Sequence, residues 1–194
     1  MNLLDNITKE DAKLIKRESY SKGSTIFKEG CLCYKIGIIE KGSVKISSFT
    51  HIGKEIIYNI LLKDQIFGNN LIFSCDPYYK GDVVALEDVV ISFINKNDLI
   101  HFLQNNRQFL IRYLEIQSDF GKQLNTTLKL LSIPNAKERL LYFLADNNNE
   151  IEYNSITELA SRLNLERETL SRTISALIKE KKIIKEERKI KVIR

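Results

Sequence analysis

The stretch SITELASRLNLERETLSRTISALI, Ser155 to Ile178, decides how the chain is read. Its apolar residues fall into two helical stripes, Ile156, Leu159, Ala160 and Leu163, then Leu170, Ile174, Leu177 and Ile178, at the spacings of three and four that gather side chains on one face. Ser155 and Glu158 have the spacing of a capping box, in which hydroxyl and carboxylate each satisfy an amide left unpaired at a helix start. Between the stripes stands Asn164, a residue that tolerates the left-handed backbone of a sharp exit from a helix. A helix, a tight turn and a second helix are expected.

The second helix presents Glu168, Thr169, Ser171, Arg172 and Ser175 away from its apolar stripe, with Arg167 in its first turn. Such a face suits base edges: Arg donates twice to guanine, Glu accepts from cytosine, and Ser adapts, all from an element that fits the major groove. The solvated face of an ordinary helical pair carries a similar mixture, so the next residues of the chain decide. Lys179 to Lys182, Ile183-Ile184, Lys185 to Lys189, then Ile190, Val192 and Ile193 read as a basic turn and a β-hairpin. A helix-turn-helix with a basic hairpin is a winged helix, in which Lys182 and Lys185 are placed for phosphate contacts.

The run ITELASRLNLERETLSRTISALIKEKKII resembles the DNA-binding end of the Crp/Fnr family of bacterial transcription regulators, whose recognition helices carry R-E-T-x-x-R or E-x-x-S-R patterns. Both patterns are present in Arg167 to Arg172. The resemblance implies that Arg167, Glu168, Ser171 and Arg172 read bases in each half of a palindrome. Glu166 departs from the family's usual Ser or Thr; a carboxylate suits a helix N-terminus but repels DNA phosphates, which lowers the expected affinity.

Upstream, Gly23, Gly30, Gly37, Gly42, Gly53, Gly68 and Gly81 punctuate short β-rich runs such as STIF, YKIGIIE, SVKISSF, KEIIYNILL and VVALEDVVISFI. Many short strands with turn signals argue for an antiparallel sandwich or barrel. The pieces Lys22 to Gly30, Glu40 to Ile46, Gly53 to Glu55 and Asp64 to Gly68 also resemble, in order and spacing, the Crp/Fnr sensor domain, a β-roll of the cyclic-nucleotide-binding type. The expected fold class is therefore α+β: a jelly-roll sensor, a long dimerisation helix and a C-terminal winged helix. Cyclic-nucleotide binders of this kind follow the Phe-Gly pair with a ribose-binding Glu and, about ten residues on, a phosphate-binding Arg; this chain has Asn69 and Tyr79 there, with Lys80 the nearest cation. A buried phosphate without a fork-shaped cation is costly, so cyclic AMP is not the expected effector. The resemblance places an effector pocket at Asn69, Asn70, Tyr79, Lys80, Asn125 and Thr126.

Asn6 to Ile15 reads as a short helix capped by Thr8, and Asn97-Asp98 as the cap of another through Leu103. After Asn105-Asn106 a long helix is expected to Ser132, with Leu110, Leu114, Gln117, Gly121, Leu124, Leu128 and Leu131 stepping by four and three. That is a coiled-coil seam, in which Gln117 would set register and Gly121 would let two helices approach. A helix packed on its own β-roll is the alternative. A seam and one recognition helix per chain predict a twofold dimer on half-sites about one DNA turn apart. Pro134 ends the helix, Asn135-Ala136 starts the next, and the hinge is expected at Ser132 to Pro134. The domains are then a sensor at 1–106, a dimerisation helix at 107–132 and a DNA-binding domain at 133–194.

A chain of 194 residues with 43% hydrophobic content has ample core, and a net charge of +5 permits an anionic partner without demanding one. No apolar run reaches a membrane span, and MNLLDNITKEDAKL lacks the basic and apolar regions of a signal peptide; a cytoplasmic protein with no membrane partner is expected. Three cysteines, Cys31, Cys33 and Cys75, make no disulfide framework and exclude a four-cysteine iron–sulfur cluster within one chain. If extended, Cys31-x-Cys33 would put both sulfurs on one face, so a thiol switch stays open, as does haem held by His51, His101 or a cysteine. No residues have the spacing of a metal site or of a catalytic constellation, so no enzyme is expected. The resemblance implies double-stranded DNA, a second copy of the chain and RNA polymerase as partners. The competing reading is a ligand-sensing module that acts through protein partners with a degenerate DNA-binding domain.

Overall fold

Eight strands form in the N-terminal part, all but the first built on apolar residues set off by turns: β1 (Lys16–Tyr20), β2 (Thr25–Phe27), β3 (Lys35–Lys41), β4 (Val44–Phe49), β5 (Glu55–Leu61), β6 (Ile66–Phe67), β7 (Asp82–Ala85) and β8 (Val89–Asn95). The structure, a computed structural model, describes residues 3–5 and 7–193. The strands pair antiparallel in two four-stranded sheets, ordered β1-β8-β3-β6 and β2-β7-β4-β5, the β-roll expected from the sequence. Ile36, Ile38, Ile91, Phe93 and Ile94 form its core, and each such burial stabilises by about 1.5–3 kcal/mol. Gly37 lies opposite Phe67 on β6 and Phe93 on β8. A Cβ at Gly37 would stand 2.1 Å from the Phe67 ring, so glycine here admits an aromatic side chain onto the backbone.

Two helices complete this unit. The short one, α1 (Lys96–Asn105), is capped by Asn95, whose side chain accepts from the Asp98 amide at 3.0 Å; the cap expected at Asn97-Asp98 is two residues late, because Asp98 supplies the amide and Asn95 the acceptor. The long one, α2 (Arg107–Ser132), has the expected length and packs Phe109 and Tyr113 into the β-roll core. The N-terminal helix is only a 3-10 turn, Asp11–Leu14, with Thr8 Oγ1 accepting from the Asp11 amide as expected; Asn6 lies outside the described residues. Strand β1 is not signalled by its sequence, KRESY, which lacks an apolar run.

The second unit begins at Asp119. It contains α3 (Ala136–Asp146), β9 (Glu150–Glu152), α4 (Ile156–Arg162), α5 (Arg167–Lys179), β10 (Ile183–Glu186) and β11 (Lys189–Val192). Ser155 Oγ accepts from the Glu158 amide at 3.1 Å, while the Glu158 carboxylate accepts from Asn154 at 2.7 Å, one residue before the expected amide. Asn164 adopts φ 48° and turns α4 into α5. The hairpin β10–β11 is joined by β9 into a three-stranded sheet, with Ile190 opposite Ile151. Leu159, Leu163, Leu170, Ile174, Leu177, Ile183 and Ile190 share a core with Leu130 of α2. Ile178, expected on the buried stripe, is 41% exposed, while Thr173, on the opposite margin of that stripe, is buried. The two compact units meet at Ser118/Asp119, inside α2, and Leu130 belongs to the second core.

Replacing Gly37 with Ala is expected to destabilise the β-roll by at least about 1–3 kcal/mol through overpacking against Phe67, read as a lower urea midpoint in equilibrium unfolding.

Candidate functional site

The α5 face is built from the helix period. With Leu170, Ile174 and Leu177 buried, Arg167, Glu168, Ser171, Arg172 and Ser175 are carried to the opposite side, where all five are exposed; Thr169 is half-buried at the margin. Glu166, Arg167, Glu168, Thr169, Ser171 and Arg172 line a surface concavity at the start of the helix. Glu166 is the N-cap residue and makes no side-chain capping bond, which leaves helix amides at this end for water or an anion. Arg172 Nε donates to the Glu168 carbonyl at 3.4 Å and Ser175 Oγ to the Ser171 carbonyl at 3.1 Å. These local contacts hold the two side chains along the helix.

The lysines of the hairpin divide into two groups. Lys189 pairs with Glu150 and Glu152, and Lys191 with Glu150 and Glu186. Neighbouring lysines hold the Glu150 carboxyl below its usual range, first by their hydrogen bonds. Those lysines tie the sheet together. Lys182 is shared with Glu180, which also meets Lys137 at 2.5 Å. Lys185 is exposed, and no ion pair engages it among the described residues.

In the β-roll the expected effector residues are only partly brought together. Asn69 and Tyr79 are buried, but Asn70 is exposed and Lys80 pairs with Asp76 at 2.5 Å on the surface. Asn125 and Thr126 belong to the second unit, exposed and half-buried respectively. Tyr79 stacks on Phe27 with ring centroids 4.7 Å apart. Its hydroxyl lies beside the Cys33 thiol and Gly68, without a hydrogen bond of good geometry among the described residues.

Asn69 is held by α2. Its Nδ2 donates to Gln117 Oε1 at 2.7 Å, while Gln117 Nε2 donates to the Asn69 carbonyl at 2.8 Å and Tyr113 Oη to the same carbonyl at 3.1 Å. Burial pushes the Tyr113 hydroxyl up to about 12, so it stays a donor. Gln117, expected on the seam, thus spends its side chain within its own chain, on the inner stripe of Phe109 and Tyr113. The i, i+4 spacing of Phe109, Tyr113 and Gln117 is the sequence signal for this stripe. Leu114, Leu124, Leu128 and Leu131 remain exposed, and open space surrounds Gly121. Two of the expected effector groups are thus engaged within the chain, the Asn69 side-chain amide by Gln117 and the Lys80 ammonium by Asp76.

Cys31 and Cys75 are exposed and Cys33 is buried. The expected common face for Cys31 and Cys33 does not form, because Cys31 closes a turn onto Lys28 while Cys33 enters the core. Burial pushes the Cys33 thiol above its ordinary range. Both His101 ring nitrogens face polar partners, Asp11 at 3.5 Å and Asn105 at 3.1 Å, while His51 is exposed in the β4–β5 turn. Among the described residues no helix is long and apolar enough to cross a membrane, and no cluster of three metal-ligating side chains occurs.

Residues 17–106 match the cyclic nucleotide-binding domain family. The anaerobic regulatory protein of Bacillus subtilis is 25% identical over 152 residues, which cover 72% of this chain and 63% of that protein; the chain thus spans less than two thirds of its relative's length. A CooA variant from Carboxydothermus hydrogenoformans superposes with a TM-score of 0.73 at 19% identity, covering 99% of this chain and 91% of that one. CprK complexed with OCPA gives 0.74 at 15% identity, covering 96% and 90%. The catabolite activator protein of Thermus thermophilus gives 0.57 at 21% identity, covering 98% and 93%. These likenesses show the fold.

Because a thiolate reacts and a buried thiol does not, Cys31 and Cys75 are expected to titrate rapidly with a chromogenic disulfide under native conditions. Cys33 should titrate only after denaturation.

Proposed function

We propose that this chain, a Crp/Fnr-type regulator in its architecture, is a homodimer that binds a palindromic DNA site through α5 and controls transcription in response to a signal other than cyclic AMP. The observation that carries the reading is the exposed α5 face, where Arg167, Glu168, Ser171 and Arg172 stand together on the side opposite the buried stripe. Each has donor or acceptor chemistry for a base edge, and the helix is anchored by its own core rather than by those polar groups. The β10–β11 hairpin supports it as a wing, with Lys185 and, less freely, Lys182 for phosphates.

A second copy is supported by the exposed apolar line Leu114, Leu124, Leu128 and Leu131 on α2, which a helix in water does not carry without cost. In this reading 1–106 is the sensor, 107–132 the dimerisation helix and 133–194 the DNA-reading head, with RNA polymerase as the downstream partner. The sensor's signal bypasses the phosphate and ribose contacts of a cyclic nucleotide, since Asn69 and Tyr79 supply neither.

Duplexes selected by the chain from a random pool, followed by fluorescence anisotropy, test the proposal. Arg172→Ala should cost about 1–3 kcal/mol and relax preference at one base pair per half-site. Lys185→Ala should weaken all duplexes alike and lower the slope of log affinity against log salt by about 0.9 for each phosphate that the lysine no longer neutralises. Specific binding unchanged by Arg172→Ala would show that α5 does not read the bases.

A further inference from the structure

Arg139, on α3, is 8% exposed, and no carboxylate pairs with it among the described residues. Its guanidinium is instead set against backbone carbonyls. Nε and Nη2 donate to the Ile133 carbonyl at 3.0 and 2.7 Å, and Nη1 donates to the carbonyls of Leu163 and Asn164 at 3.2 and 2.9 Å. Burying a cation without a counter-charge is costly, and arginine does not escape by losing its proton. The cost is offset by the location. Ile133 follows the last residue of α2, and Leu163 is the C-cap of α4, so the cation faces the negative ends of two helices at once.

The two places joined are far apart in sequence, and one of them leads directly into α5. Ile133 lies within the turn expected to be the hinge. Leu163 and Asn164 form the turn that aims α5, with Asn164 at φ 48° and the Leu165 amide bonded back to the Ala160 carbonyl at 2.9 Å. The end of α2 is fastened to the same body by Leu130 in the core and by Lys129, whose Nζ lies 4.5 Å from the Tyr142 ring centroid.

We infer that Arg139 is a positioning residue that couples the end of α2 to the aim of the reading helix, making the Ser132 to Pro134 corner a rigid transmission rather than a swivel. The inference rests on α5 being the element that reads DNA. Displacing Ile133 moves the guanidinium, and the guanidinium holds the two carbonyls that precede α5. A single fork does this because five donors in one plane reach carbonyls from separate segments; an ammonium in the same place lacks the second arm.

The test compares the full-length chain with Arg139→Lys, which keeps a cation, by residue-resolved amide exchange and by anisotropy. The duplexes are one selected by the wild-type chain and a scrambled duplex at the same salt. Expected in Arg139→Lys are at least tenfold faster exchange at Leu165 to Leu170, with protection of Leu144 and Leu177 retained, and a specific-to-scrambled affinity ratio at least tenfold lower. Unchanged exchange at Leu165 to Leu170, or protection lost evenly across the second unit, overturns the coupling. An unchanged ratio with faster local exchange also overturns it. If the wild-type chain selects no duplex, the DNA reading fails while the exchange comparison still decides whether Arg139 holds the turn.

Discussion

The β-roll depends on one close approach, the Phe67 ring lying where any side chain at residue 37 would have to be. Because Gly37 leaves that space, Phe67 packs edge-on to Phe27 and Phe93, with ring centroids 6.2 Å apart in both pairs. Those rings join the two sheets. The same approach directs the chain beyond it: Gly68 turns with φ 80° directly after Phe67, and Asn69 emerges against α2. A packing constraint in the core therefore places the polar group that meets the long helix.

That meeting is made by the chain's own amides. Asn69, Tyr113 and Gln117 satisfy one another. The net gain from each bond is only about 0.5–1.5 kcal/mol, but leaving one member buried and unpaired costs about 1–3 kcal/mol, so the group stands or falls together. A ligand entering here would have to replace every bond that it displaced. The neighbouring Tyr79 site is apolar in character, dominated by stacking on Phe27 and by the protonated Cys33 thiol.

The helix-turn-helix was legible because its signals are local. Capping, the 3.6-residue stripe and the left-handed Asn164 all act within a few residues, and each appears where expected apart from the amide taken by Glu158 and the exposure of Ile178. The β-roll was legible from its order of runs and glycines. The features that could not be read depend on distant partners. Strand β9 is three residues whose strand character comes from lying against β11. Gln117 fits both the outer seam and the inner stripe of Phe109 and Tyr113 by spacing, and its bonds to Asn69, 48 residues away, settle the choice inward. An arginine on an amphipathic helix reads as surface, and Arg139 is buried only because two helix ends converge on it.

If α5 reads DNA as proposed, the pairing of lysines on the β10–β11 hairpin sets the order of events during a search along it. At the start of α5, Glu166 and Glu168 stand beside Arg167, so the reading face carries little net charge with which to attract phosphates from a distance. Lys189 and Lys191 are committed to Glu150, Glu152 and Glu186, while Lys185 stays uncommitted near the hairpin tip. On the DNA-binding reading, capture is then led by the wing and sequence inspection comes second: the protein lands weakly, samples bases with a nearly neutral helix, and leaves quickly wherever they do not match. Low charge on the reading face thus trades residence on random sequence for speed of rejection, a kinetic form of selectivity that an equilibrium constant alone does not display.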